Sequence, residues 1–238
     1  MGSKLWVLLW FGLGMLTAST PYAADNAFFG WYGISAHGRL DKLSPALENF
    51  SWSVLNQARF SHHAQEKFAN NSNRLAEYLL FIQFNYHFND QLHVGLGYTR
   101  DWLDTFNENR AYEEIGWQSE PFEWGRLMTR TRLEQRVHDN AKNRNVGWRV
   151  RELVQWSYPL PGLPRVSLVL NDEVMWYLNS SRWRSDGFAE NRVFGGFNFR
   201  ILPDIQLTLG YLNQFVRKET SKQSQLNHAL FTNLDFSF

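Results

Sequence analysis

The residues with most chemical potential lie in the stretch 123–138, EWGRLMTRTRLEQRVH. Taken every second residue, Arg126, Met128, Arg130, Arg132, Glu134 and Arg136 share one face, and Leu127, Thr129, Thr131, Leu133, Gln135 and Val137 share the other. Alternation of that kind is the period of a strand, because successive side chains point to opposite faces. A row of guanidinium groups can clamp carboxylates bidentately or line a path that favours anions. It cannot enter a dry core, where an isolated charge costs many kcal/mol. The arginine face therefore needs a wet interior, while the other face needs an apolar surround. A transmembrane β-barrel supplies that inverted arrangement, with lipid outside and a polar lumen inside.

Catalytic chemistry is less well supported. Nucleophilic catalysis brings Ser or Cys, His and an acidic or amide group together. The chain has no cysteine, and its histidines (His37, His62, His63, His87, His93, His138 and His228) fall mostly at strand ends or in connections, with no G-x-S-x-G motif. His93 and Asp101 share an inner face but stand roughly 26 Å apart along one strand. The adjacent pair His62-His63 would face opposite ways, which disfavours a shared metal. The expectation is therefore no enzyme, no metal and no cofactor.

The rest of the chain supplies strands to position the arginines. Candidates are Phe28–Leu40, Phe50–Ser61, Leu75–Phe88, Gln91–Trp102, Arg110–Ser119, the arginine strand, Asn145–Tyr158, Arg165–Leu178, Ala189–Ile201, Ile205–Val216 and Leu226–Phe238. Each approaches the length that a tilted membrane strand requires. Phe28–Leu40 has an ambiguous inner face, and bacterial single-chain barrels have even strand counts. The sequence thus predicts an antiparallel up-and-down barrel of about ten to twelve strands, with residues 28–40 either outside the wall or paired with a strand not recognised. Glu152 and Asp172 fall on the outer face, which predicts a local bulge or an interfacial position there. Connections near 89–90, 120–123, 159–164 and 201–204 are tight, and those near 62–74, 103–109, 138–145, 179–188 and 217–226 are longer and polar. That alternation puts the C-terminus at the tight-turn, periplasmic end.

Composition agrees with an envelope barrel. Aromatics make up 16% of the chain, including 11 Trp and 9 Tyr, as interfacial girdles require. Eighteen arginines outnumber six lysines, which suits multidentate pairing in a confined space. A net charge of +1 gives no reason to expect nucleic acid as a partner. Residues 1–24 have the layout of a signal peptide: Lys4, the apolar run LWVLLWFGLGMLTAS, and cleavage expected near Ala23 or Ala24. Residues 25–238 then form one outer-membrane domain. The end of the chain, NLDFSF, alternates Leu234, Phe236 and Phe238, and resembles the signal read by the outer-membrane barrel assembly machinery.

Several segments resemble the bacterial outer-membrane family catalogued as domain of unknown function 2490. They are RTRLEQR (130–136), WRVRELVQWSYPL (148–160), NDEVMWYLN (171–179), ENRVFGGFNF (190–199), LGYLNQ (209–214) and NHALFTNLDFSF (227–238). The likeness runs from Trp31 to Phe238. It implies a barrel and brings no activity, substrate or catalytic residue with it. In pattern alone, the arginine ladder is also similar to those of some twelve-stranded channels for acidic oligosaccharides.

Function is read from the inner face. Arg59, Arg110, Arg126, Arg130, Arg132, Arg136, Arg149, Arg151, Arg165 and Arg192 are expected there, with Glu77, Asp101, Glu114, Glu134, Glu173 and Glu190, leaving an excess of four positive charges. The ladder Arg126, Arg130, Arg132, Glu134, Arg136, Arg149, Arg151, Glu173 and Arg192 is the candidate site. One outcome is a salt-bridged lumen that braces a structural or narrow-pore barrel. The alternatives are a channel for a small anionic solute or acidic oligosaccharide, and an outer-membrane lipid-modifying hydrolase. Expected partners are outer-membrane lipid and lipopolysaccharide, the latter through SSRWRSDGF (180–188), where Arg182 and Arg184 flank Trp183.

Overall fold

The computed structural model describes residues 25–62, 74–103, 106–139, 145–181, 184–217 and 224–238. The expected signal peptide, His63, Arg182 and Trp183 lie outside the described residues. Among those described, eleven strands close into one barrel. They are β1 (Asp25–Arg39), β2 (Phe50–His62), β3 (Arg74–His87), β4 (Leu92–Leu103), β5 (Asn107–Gln118) and β6 (Arg126–His138). β7 (Gly147–Pro159), β8 (Val166–Tyr177), β9 (Gly187–Leu202), β10 (Ile205–Val216) and β11 (Gln225–Ser237) follow. Each pairs antiparallel with its neighbours in sequence, so the up-and-down order is as expected.

The closure is the departure. β1 is a full wall strand, and it pairs with β11 in parallel from Asp25↔Gln225 to His37↔Ser237. An odd number of alternating strands leaves the first and last running the same way, so a parallel seam is the only way to seal the ring. Parallel pairing is slightly weaker per residue than antiparallel. Here it runs the length of both strands. The rule of even counts misdirected the sequence reading, since nothing in Phe28–Leu40 itself specifies the direction of its partner.

Strand phases follow the alternation. Gln57, Arg59, Gln83, Thr99, Asp101 and Glu114 are buried inside, whereas Ile82, Phe84, Leu96, Tyr98 and Ile115 are exposed outside. β6 starts at Arg126 rather than Glu123, because Phe122 and Gly125 exchange backbone hydrogen bonds of 2.8 and 2.9 Å in a tight turn. Gly125 has φ 110°, and a Cβ there would lie 2.0 Å from the Ser157 carbonyl oxygen, so no other residue fits.

The expected bulges at Glu152 and Asp172 are absent. Register is unbroken at both, and the irregularities fall at Arg59/Phe60, Met175/Trp176 and Ile205/Gln206. The two outward acids are accommodated by hydrogen bonds instead: the Thr131 hydroxyl donates to Glu152 at 2.6 Å, and Asn191 donates to Asp172.

The parallel seam yields a direct check. Ile34 and Leu234 are partners across it. In this cysteine-free chain, Ile34→Cys with Leu234→Cys should join through a short thiol cross-linker, giving a linked peptide pair by mass spectrometry. Failure of that pair, while Leu207→Cys with Leu234→Cys across β10 and β11 cross-links, would contradict the closure.

Candidate functional site

The alternation of β3 to β9 puts one charged residue after another into the lumen, and the pairing register decides which of them meet. Glu134 on β6 lies opposite Arg149 on β7, and Arg132 lies opposite Arg151. Glu134 accepts from Arg149 Nε at 2.7 Å and from Arg151 Nη1 at 2.8 Å. Arg151 also donates to both oxygens of Glu173 on β8, at 2.7 and 2.8 Å. Glu173 in turn takes Arg130 from β6 and lies 3.6 Å from Arg192 of β9. Arg192 reaches Glu190, which Gln214 also bonds. At the other flank, Glu114 on β5 accepts from Arg132 Nε at 2.8 Å and from Gln83 at 2.9 Å, and pairs with Arg130 at 3.5 Å.

Two smaller groups complete the belt. Glu108 accepts from Arg110 Nε at 2.8 Å and from Arg136 Nη2 at 2.6 Å, and Arg110 reaches on to Asp101. Arg59 pairs with Glu77 at 2.6 Å. Charge-assisted contacts of this length are the stronger kind of hydrogen bond. Aromatic faces take the remaining sides of the guanidinium groups. Arg132 lies 3.9 Å over Tyr112, and Arg59 and Arg192 lie 3.8 and 5.1 Å from the ring of Trp31.

All nine predicted ladder residues face the lumen, but they do not act alike. Arg130, Arg132, Glu134, Arg136, Arg149, Arg151, Glu173 and Arg192 join the belt, whereas Arg126 is exposed at the tight-turn mouth. Arg165 is likewise exposed, in the connection before β8. Sequence reasoning omitted Glu108, which is 1% exposed and holds two arginines. The signal was present in NENRAYEE, where Glu108, Arg110, Tyr112 and Glu114 alternate; the expected strand began two residues too late to include it. Adding Glu108 lowers the expected excess of four positive charges, and with Arg126 and Arg165 standing outside the belt the belt itself comes close to neutrality. Within the belt, Arg59, Arg110, Arg130, Arg132, Arg136, Arg149, Arg151 and Arg192 are nearly balanced by Glu77, Asp101, Glu108, Glu114, Glu134, Glu173 and Glu190.

Two cavities flank the belt. One of about 1170 Å³ opens at the tight-turn end, beside Pro121, Phe122 and Pro161. One of about 530 Å³ lies towards the other end, beside Leu103, Phe106 and Arg184. Trp31, Arg59 and Arg192 are the residues that line both. The stacked indole and guanidinium groups thus stand where the two spaces would join. Trp31, 3% exposed, is a further residue that sequence reasoning did not single out.

Among the described histidines, His37 contacts Asp235, which also accepts from Ser35. His93 is far along β4 from Asp101 and lies instead 3.7 Å from Glu114. The Ser51 hydroxyl and His87 Nε2 are 2.8 Å apart, and Asn85 donates to Ser51 at 3.3 Å. No acid or amide hydrogen-bonds the second ring nitrogen of His87 among the described residues, so the contact ties β2 to β3 without the third member of a triad. No group of three or more metal-ligating side chains occurs among the described residues. Outside the strands, Asp139 is held below the usual carboxylate range by hydrogen bonds from Arg100. The C-terminal residues Leu234 and Phe236 face outward on β11, and Phe238 stacks on Trp52 at 6.1 Å.

The family model for "Protein of unknown function (DUF2490)" matches residues 28–225, which span the whole belt. The chain belongs to the DUF2490 family. An uncharacterized protein of Methylorubrum extorquens is 32% identical over 177 residues, covering 71% of this chain and 76% of that protein. Among solved structures, the NanC porin in a rhombohedral crystal form aligns with a TM-score of 0.45 and 12% identity, over 83% of this chain and 93% of that one.

In this DUF2490 barrel, breaking one belt contact should cost far more than a matched change outside. Glu134→Gln leaves Arg149 and Arg151 without that carboxylate and should cost about 3–5 kcal/mol. Glu152→Gln, on the outer wall, should cost about 1 kcal/mol or less. Urea unfolding followed by tryptophan fluorescence compares them, and equal losses would show that the belt does not brace the fold.

Proposed function

We propose that this chain is a bacterial outer-membrane barrel with a charge-braced, narrow lumen, exported by a signal peptide at residues 1–24. The observation that carries the reading is the inversion of polarity across the wall. Arginines and carboxylates are buried inside, while Ile34, Phe84, Leu96, Ile115 and Leu170 are exposed outside with no further layer over them among the described residues. A water-soluble barrel would bury those side chains, since contiguous exposed apolar surface marks contact with protein or membrane. Outward aromatics near both rims fit interfacial girdles: Trp52, Tyr86 and Trp117 towards the tight turns, and Trp102 and Trp176 towards the other end. On this reading the tight turns face the periplasm, the barrel is not an enzyme, and its partners are outer-membrane lipid, lipopolysaccharide and the barrel assembly machinery that reads Leu234, Phe236 and Phe238.

A second reading, passage of a small anionic solute, is favoured by Arg126 and Arg200. Both are exposed at the mouth of the larger cavity with no carboxylate partner among the described residues. Rings of basic side chains attract anions into a pore.

Cell fractionation tests the first reading. The full chain should be recovered in the outer membrane, shortened at its N-terminus, and should migrate faster on gels before heating than after. Recovery as a soluble, protease-resistant periplasmic protein would sink it.

A further inference from the structure

The larger cavity holds something that bracing does not require, an apolar shelf inside a polar lumen. Val169, Phe194, Leu212 and Phe231 line it, and the first three pack with Trp31 and Ala229 in one buried cluster that Phe231 flanks. Register makes the shelf continuous. Val169, Gly196, Gly210 and Phe231 follow one another across β8 to β11, and Phe194, Leu212 and Ala229 lie in the row beside them. Two glycines keep it flat. A Cβ at Gly196 would come within 2.7 Å of the Phe194 ring, and one at Gly210 within 2.6 Å. The ring therefore lies down against the wall, and the space in front of it stays open.

The same rows lead to arginines. From Val169 the pairing continues through Ser157 to Arg126, two strand spacings or about 10 Å away. Arg130, on the same strand one turn of the ladder deeper, is 22% exposed by side chain, and its buried Nε has no hydrogen-bond partner despite an ion pair at 3.5 Å. An apolar shelf two strand spacings from Arg126, with Arg130 four residues further along the same strand, is complementary to a molecule with an oily body and one anionic head. The volume of about 1170 Å³ is ample for it.

We infer that the larger cavity is a binding site for an amphipathic monoanion, a carboxylate on an aromatic or medium-length alkyl body. The body rests on Val169, Phe194, Leu212 and Phe231, and the head takes Arg126 and Arg130. This names the anion class of the second reading above and rests on that reading only for a wet, accessible lumen, not on where the barrel is lodged.

The test is calorimetric titration of the full-length barrel, folded in lipid nanodiscs, with 2-naphthoate, using empty nanodiscs as the blank. Saturable binding should appear, at least tenfold tighter than for the neutral 2-naphthalenemethanol, and acetate should not compete. Arg126→Gln, a change at the exposed mouth, should weaken 2-naphthoate about tenfold and leave the neutral compound unaffected. Val169→Thr should weaken both. No saturable binding by protein that still shows heat-modifiable migration would overturn the inference, as would equal binding of the neutral analogue or full displacement by acetate. Binding by a barrel that fractionates away from the outer membrane would leave this inference standing and the location wrong.

Discussion

The structure depends on the pairing of guanidinium groups with carboxylates in a space too narrow to hydrate them fully. Taking one such ion from water costs several kcal/mol even after relaxation, and only well-placed partners return it. That constraint explains why each belt acid touches more than one cation where register allows. Glu134 meets two arginines, Glu173 three and Glu108 two. It also explains why flat aromatic faces, Trp31, Tyr112 and Tyr177, lie against the guanidinium planes. A lysine could pair as a point charge, but it could not span two carboxylates and stack at once.

Wall and belt depend on each other. Moving any strand by one residue would turn its charges towards the apolar exterior and its Leu, Ile and Phe inward. The belt thus pins register across β5 to β9, where the ion pairs are densest, while the apolar cluster under Trp31 does so across β8 to β11 and β1. The parallel β1–β11 seam lies on the apolar side, and Trp31 pairs there with Phe231. The weaker mode of strand pairing is therefore backed by packing at Trp31 and, nearer the tight-turn end, by the contacts of Ser35 and His37 with Asp235.

Much of this was legible in the sequence, for a physical reason. A strand with one wet face and one apolar face carries a period of two that no helix shares, so RLMTRTRLEQRVH announced both its structure and its inner residues. Direction and closure were not legible. Alternation in Phe28–Leu40 states which side chains face in, and says nothing about whether β11 runs parallel to it. Glu108 was lost for a different reason: polar residues at a strand end look like loop, and only register with Arg136 on the neighbouring strand shows that Glu108 belongs to the wall. The pairing of Glu173 with Arg130 and Arg151 joins residues 43 and 22 positions apart, and it follows from register across three strands rather than from any local pattern.

The central claim is that the belt, with Trp31 stacked between Arg59 and Arg192 where both cavities meet it, keeps the two cavities apart. Conductance of the purified barrel in planar bilayers tests it most directly. The native protein should show few or no openings, and Trp31→Ala, which removes the indole from between Arg59 and Arg192, should give a steady conductance that prefers anions. A native protein that conducts freely, with Trp31→Ala indistinguishable from it, would contradict the account.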